Sequence, residues 1–244
     1  MSKIGIFDSG MGGVTVLKNL LNIYPYNTYI YIADEKYFPY GNKEKDQLLV
    51  YARRIVDYFL TRNVETIIIA CNTLSSIVLD DLKKEYKNIN IVGVIGSTIK
   101  RALEYKNKNM LLLATPNTIR SKVYKNGIES KSNNKIFEVE TFELASLIEN
   151  DDPLLEKEVL GYLNRYNNID VVILGCTHYK LVEDIIKNYD KNLEIICSSD
   201  EIVKDLSLGN DSKNEVFVYT TKDNTDFDKK VKKIINIDTQ FLDI

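Results

Sequence analysis

The chain has 244 residues, 44% of them hydrophobic, and a formal net charge of −3, enough for one large α/β domain or two of ordinary size, with nothing that argues for disorder. Charges of both signs are interspersed, which excludes a basic footprint for nucleic acid and a polybasic membrane patch and points to a small-molecule partner. The opening MSKIGIFDSG is too short in apolar residues for a signal-peptide core, and three cysteines are an odd, sparse set; both lead to the expectation of a cytosolic chain with free thiols.

In chain order, a short apolar strand over Lys3–Phe7 runs into a glycine-rich turn, Asp8-Ser9-Gly10-Met11-Gly12-Gly13, then a helix over Val14–Asn22 and a second strand, Thr28–Ala33. This is a βαβ unit. The loop Tyr37-Phe38-Pro39-Tyr40-Gly41 leads to a helix over about Lys43–Arg62, whose Leu48, Ala52, Ile55 and Phe59 line one face. Strand Glu65–Ala70 ends at Cys71, and a helix from about Ser75 to Tyr86 precedes strand Asn90–Ile95. A short helix near Thr98–Tyr105 and strand Asn109–Ala114 follow, the latter ending in Thr115-Pro116-Asn117-Thr118. The basic, polar run Lys122–Lys135 reads as a solvated helix and loop.

Strand Ile136–Thr141 and helices around Phe142–Glu149 and Pro153–Tyr166 lead to the strand beginning at Asp170, which ends at Cys176. After a helix come strand Leu193–Cys197, a helix near Asp200–Leu206, strand Val216–Thr220 and an amphipathic helix over Phe227–Ile235. Strands alternating with helices predict a doubly wound α/β architecture with mainly parallel sheets. The two cysteine strands occupy similar places in two runs of elements. We therefore expect two similar domains, residues 1–95 with 206–244 and residues 96–205.

β-branched apolar runs read as strands buried on both faces, and ligands of parallel sheets bind beyond their carboxyl ends. Cys71-Asn72-Thr73 and Cys176-Thr177-His178 lie at two such ends. Cysteine is also a common small core residue, so it is the repeated context that singles them out. At a helix start the helix dipole favours thiolate, and Asn72, Thr73, Thr115, Thr118 and Thr177 add neutral donors for a ligand carboxylate. The glycine turn fits neither a dinucleotide fingerprint nor a phosphate loop, yet its backbone N–H groups could meet a carboxylate-sized anion.

Three chemistries compete. Zinc could draw on Cys71, Cys176, His178 and Cys197, but the chain lacks Cys-x-x-Cys and His-x-x-x-His spacing. A thiol hydrolase could use Cys176 and His178 with an acid. Proton transfer at carbon by two opposed thiols, one per domain, needs a base on one face and an acid on the other, and two similar cysteines meet that need.

Asp8-Ser9-Gly10-Met11-Gly12-Gly13, Pro39-Tyr40-Gly41, Cys71-Asn72-Thr73, Ala114-Thr115-Pro116-Asn117-Thr118 and Gly175-Cys176-Thr177-His178-Tyr179 together resemble the aspartate/glutamate racemase family in order and spacing over most of the chain. The resemblance implies a cofactor-independent enzyme that interconverts L- and D-glutamate, supplies D-glutamate for peptidoglycan, and works in a cleft between two similar α/β domains. It implies Cys71 and Cys176 as the catalytic pair, with Asp8 assisting Cys71 and His178 assisting Cys176. It places Ser9, Pro39, Tyr40, Gly41, Asn72, Thr73, Thr115, Thr118 and Thr177 around the substrate, with Glu149 matching a family acid near the histidine. It implies no metal, and it allows a homodimer. A broader acidic amino-acid racemase and a non-catalytic amino-acid binder are the alternatives. The chain departs from the family pattern at Gly96 in Gly93-Val94-Ile95-Gly96-Ser97-Thr98, at Lys180, where a proline is expected, and in Thr141-Phe142-Glu143-Leu144-Ala145.

Overall fold

The structure, a computed structural model, describes residues 3–209 and 214–244. Its strands are β1 (Lys3–Asp8), β2 (Thr28–Ala33), β3 (Thr66–Ile69), β4 (Asn90–Gly93), β5 (Asn109–Ala114), β6 (Lys135–Glu140), β7 (Val171–Gly175), β8 (Glu194–Cys197), β9 (Glu215–Thr220) and β10 (Gln240–Phe241). They form a six-stranded sheet in the order β10-β9-β2-β1-β3-β4 and a four-stranded sheet in the order β6-β5-β7-β8. Every pairing is parallel. The expectation of two doubly wound α/β units therefore holds, and all strand carboxyl ends within a sheet point to one edge. Among the described residues no helix is long and apolar enough to cross a membrane.

The central strands β1, β2, β5 and β7 are buried almost throughout, as expected of strands covered by helices on both faces. One apolar core joins the sheets. It runs from Ile4, Ile6 and Tyr31 through Val16, Leu17 and Leu20 of the helix Gly12–Ile23 to Leu112, Leu113 and Ile173. A second core lies on the other face of the six-stranded sheet, where Phe7, Ile30 and Ile69 meet Ile55 and Phe59 of the helix Lys45–Thr61.

Several elements differ from their sequence expectation. The strand expected over Asn90–Ile95 stops at Gly93. A helix begins at Ile95, its start tied by Ser97 and Thr98 hydroxyls donating to the Val94 carbonyl at 3.0 and 2.7 Å. The helix expected over Ser75–Tyr86 begins at Asn72 and breaks at Val78 into Asn72–Ile77 and Leu79–Glu85. There the Ser75 and Ser76 hydroxyls bond to the carbonyls of Ile69 and Thr73, competing with the helical ladder next to a β-branched pair. The run Lys122–Lys135 is not simply solvated: the helix Val123–Glu129 buries Tyr124 and Ile128 completely. The helix Pro116–Arg120 and the short strand β10 were not anticipated.

Parallel packing leaves little room where the helix Lys45–Thr61 crosses β1. A Cβ on Gly5 would sit 2.9 Å from the Phe59 ring, and Phe59 itself packs at a tilt on Phe7. Gly5→Ala is therefore expected to cost about 1–3 kcal/mol of stability by overpacking. Adding Phe59→Leu should recover part of that loss, a non-additivity that urea unfolding midpoints of the three variants would register.

Candidate active site

The two cysteine motifs do come together. Cys71 follows β3 and caps the helix Asn72–Ile77, whereas Cys176 follows β7 and caps the 3-10 turn Thr177–Val182. Side-chain hydrogen bonds cross between the sheets beside them. The Thr73 and Thr115 hydroxyls lie 2.9 Å apart, and the Thr177 hydroxyl donates to Asp8 Oδ2 at 2.8 Å. Thr118 extends the hydroxyl chain from Thr115 at 3.1 Å, and the Ser9 N–H donates to Asp8 Oδ1 at 2.8 Å. Cys71 and Cys176 are only 5% and 8% exposed, so the set is shut away from solvent together with Asp8, Ser9, Asn72, Thr73, Thr118, Thr177 and His178.

The glycine turn has a different use from the one its sequence suggests. Its anion is internal: Glu149 Oε1, at the end of the helix Leu144–Glu149, accepts the Met11 N–H at 2.6 Å and sits 2.7 Å from His178 Nε2. No described glycine adopts a positive φ. The glycines are needed for proximity, since a Cβ on Gly10 would lie 2.1 Å from Glu149 Oε1 and one on Gly12 would lie 2.5 Å from His178 Nδ1.

His178 Nδ1 faces Cys176 Sγ at 3.6 Å. Burial pulls the imidazole pKa down, but hydrogen bonds to Cys176 and Glu149 outweigh it and hold the ring well above its ordinary value. In its charged form the ring donates from Nε2 to Glu149 and from Nδ1 to the sulfur. The Gly12 N–H, 3.2 Å from Nε2, can donate there only when that nitrogen is bare.

Cys71 has the opposite environment. Burial pushes its thiol well up, and the nearby Asp8 charge adds to the rise; the backbone N–H of Leu74 pulls the other way and loses. The helix-start argument for a Cys71 thiolate is thus corrected by desolvation and a carboxylate. Cys176 contributes a further Coulombic push, so the two thiols resist being charged together.

The remaining expected residues divide. Gly41 abuts Thr115, where a Cβ would lie 2.9 Å from Thr115 Cβ, and its carbonyl accepts the Asn117 N–H at 2.9 Å. Pro39, after a cis peptide bond with Phe38, is partly buried in the same loop. Tyr40 directs its hydroxyl away to Asp34. Asn72 is held by groups that sequence reasoning missed: Tyr124 donates to its Oδ1 at 2.6 Å, and its amide donates to Ser198 Oγ at 2.8 Å. Tyr124 was hidden in a charged run. Ser198 directly follows Cys197, whose thiol lies against Glu183 at 4.0 Å in a separate cluster with Asp200. That cluster already holds a cation, the Lys180 ammonium, at 2.5 Å from Glu183 and 2.7 Å from Asp200. A cavity of about 920 Å³ lies behind Glu149, lined by Met11, Glu35, Phe227 and Lys230, and neither thiol lines it.

The single histidine of the chain makes its protonation directly measurable. By proton NMR of the ring, His178 should titrate above the ordinary value of about 6.5, and Glu149→Gln should move the midpoint down. Because the folded-state value is the raised one, the protonated ring's contribution to stability is complete below the unfolded value of about 6.5 and is lost as pH climbs through the higher, folded-state value. The Glu149→Gln variant should lose most of this dependence.

A family model described as Asp/Glu/Hydantoin racemase matches residues 29–206. A glutamate racemase of Fusobacterium nucleatum is 37% identical over 250 aligned residues, covering 96% of this chain and 94% of its own. Among solved structures, the glutamate racemase of Francisella tularensis in complex with D-glutamate superposes with a TM-score of 0.87 at 31% identity, covering 100% of this chain and 97% of that one. The glutamate racemase of Campylobacter jejuni gives 0.87 at 30% identity, with 96% and 98% covered. With the paired strand-end thiols, these likenesses establish that the chain belongs to the Asp/Glu/hydantoin racemase family.

Proposed function

We propose that the protein is a glutamate racemase that interconverts L- and D-glutamate by two-thiol proton transfer at the α-carbon, without a cofactor, in the cytoplasm, and supplies D-glutamate for peptidoglycan. The observation that carries this reading is the pairing of Cys71 and Cys176 from two sheets, each beside its own helper, Asp8 or His178, in a solvent-poor pocket. The family relatives named above support glutamate as the substrate. In this reading the reaction lies between two domains, residues 1–95 with 206–244 and residues 96–205; residues 1–2 and 210–213 of that division are outside the described ones.

The chemistry follows from the unlike surroundings of the thiols. Imidazolium at His178 stabilises negative charge on Cys176, while Cys71 stays a neutral thiol that donates toward Asp8. In one direction the Cys176 thiolate takes the α-proton and Cys71 delivers its own proton to the opposite face. The reverse direction exchanges these roles, so one proton enters for each that leaves. Negative charge accumulating on the substrate carboxylate meets neutral donors, the Thr73, Thr115 and Thr118 hydroxyls. Such a closed set requires the sheets to part for substrate to enter, and water is excluded when they meet again.

A circular-dichroism time course with L-glutamate and with L-aspartate tests the reading. Loss of ellipticity with glutamate alone is expected; loss with both would make the protein a broader acidic amino-acid racemase, and with neither a binding protein. Cys71→Ala and Cys176→Ala should each abolish racemisation, and wild-type turnover in deuterated water should label the inverted product. Full activity in either alanine variant would remove the two-thiol assignment.

The helpers should be separable as well. Asp8→Asn and His178→Asn are expected to slow catalysis severely and to skew kcat for the two directions in opposite senses, with the ratio of kcat/KM pinned by an equilibrium constant of one. Equal slowing of both directions in both variants would reduce these residues to general supports.

A further inference from the structure

The mechanism above leaves unused a fully buried carboxylate, Asp34, at the end of β2. Three groups converge on it. Arg54, from the helix Lys45–Thr61, places Nη2 at 2.5 Å from Oδ1, the Thr221 hydroxyl donates to Oδ1 at 2.8 Å, and the Tyr40 hydroxyl donates to Oδ2. Arg54 is itself only 20% exposed in its side chain, and its guanidinium lies 4.9 Å from the centre of the Tyr37 ring. Tyr37 stacks on Tyr51 at 4.0 Å, and Tyr40 stacks on the same ring at 5.8 Å. Both ends of the segment Tyr37–Gly41 are therefore gripped by one ion pair and one aromatic stack.

Gly41, the next residue, is where this segment touches the other sheet. It presses on Thr115, and its carbonyl accepts the Asn117 N–H, while the Asn117 amide donates to the Lys43 carbonyl at 2.7 Å. Thr115 in turn bonds to Thr73 and Thr118. A contiguous line of contacts thus runs from Arg54 through Asp34, Tyr40 and Gly41 to the hydroxyls beside Cys71. A buried pair of this kind adds little net stability compared with apolar packing, so its placement calls for another role.

We propose that Asp34 and Arg54 are positioning residues: they act through the Tyr40 hydroxyl to hold the Tyr40–Gly41 backbone and Thr115 in register for the substrate carboxylate. The inference rests on the racemase reading for what the cleft binds. Because the carboxylate is the same in both enantiomers, loss of this register does not distinguish the two faces: it weakens substrate binding and, since charge accumulates on that carboxylate during the reaction, slows both directions equally.

The test compares the wild type with Tyr40→Phe, Arg54→Met and Arg54→Lys. Each is assayed for racemisation by circular dichroism and for D-glutamate binding by calorimetry. Tyr40→Phe keeps the ring and deletes only the donor, so it carries the test if Arg54→Met, which strands a buried carboxylate, fails to fold. We expect KM for both enantiomers, and the Kd for D-glutamate, to rise about tenfold in Tyr40→Phe and Arg54→Met with kcat lowered by one common factor in the two directions, partial recovery in Arg54→Lys, and a Tyr40→Phe/Arg54→Met double variant no worse than the worse single. Wild-type KM and Kd in Tyr40→Phe, or a fall confined to thermal stability, would overturn the proposal. A wild type that binds D-glutamate without racemising it would instead overturn the racemase reading, and the Kd values would still decide this one.

Discussion

The close approach of the Gly10–Gly13 turn to Glu149 and His178 is the constraint on which the rest depends. It is a contact between the backbone of one sheet's first βα turn and the side chains that serve the other sheet's thiol. Backbone amides are rigid, directional donors, so a carboxylate seated on the Met11 N–H is fixed to within a hydrogen bond's tolerance. That carboxylate fixes the imidazole, and the imidazole faces Cys176. The helix Gly12–Ile23 then continues from the turn into the shared apolar core. The fold and the chemistry are thus joined at the start of that helix.

Two stretches with the same local grammar reach opposite electrostatic ends. Each cysteine ends a buried parallel strand and caps a turn of helix. Near Cys71 the added charge is a carboxylate, which disfavours thiolate; near Cys176 it is an imidazole held between a sulfur and a carboxylate. Buried ionisable groups cost solvation, and each here is compensated by named partners: Ser9 and Thr177 for Asp8, Met11 for Glu149. The site therefore uses stability that apolar residues of similar volume could supply, a common trade at functional positions.

Much of this was legible in the residues. Uninterrupted runs such as Ile67-Ile68-Ile69 and Val171-Val172-Ile173-Leu174 have the composition of strands covered on both faces, and their ends located the thiols. What was not legible depended on neighbours distant in sequence. Nothing local to Tyr124 indicates that it is buried against Asn72, and nothing local to Asp34 indicates three donors. The sense of the Cys71 shift was misread because a helix start is visible in sequence, whereas desolvation is a property of the assembled pocket. The helix Pro116–Arg120 carried a signal that went unused, a proline in its first turn after a threonine cap.

The near-complete burial of both thiols, described above for its dielectric effect, also governs how the protein meets electrophiles and oxidants. Under the proposal that the sheets part to admit substrate, sulfurs this deeply buried are alkylated chiefly during the interval of opening. The rate of modification of Cys71 and Cys176 at low reagent excess is then a clock for opening, and a ligand that holds the sheets together should lengthen it. Peroxide meets the same barrier, so the burial that sets the alkylation rate also shields Cys71 and Cys176 from oxidation.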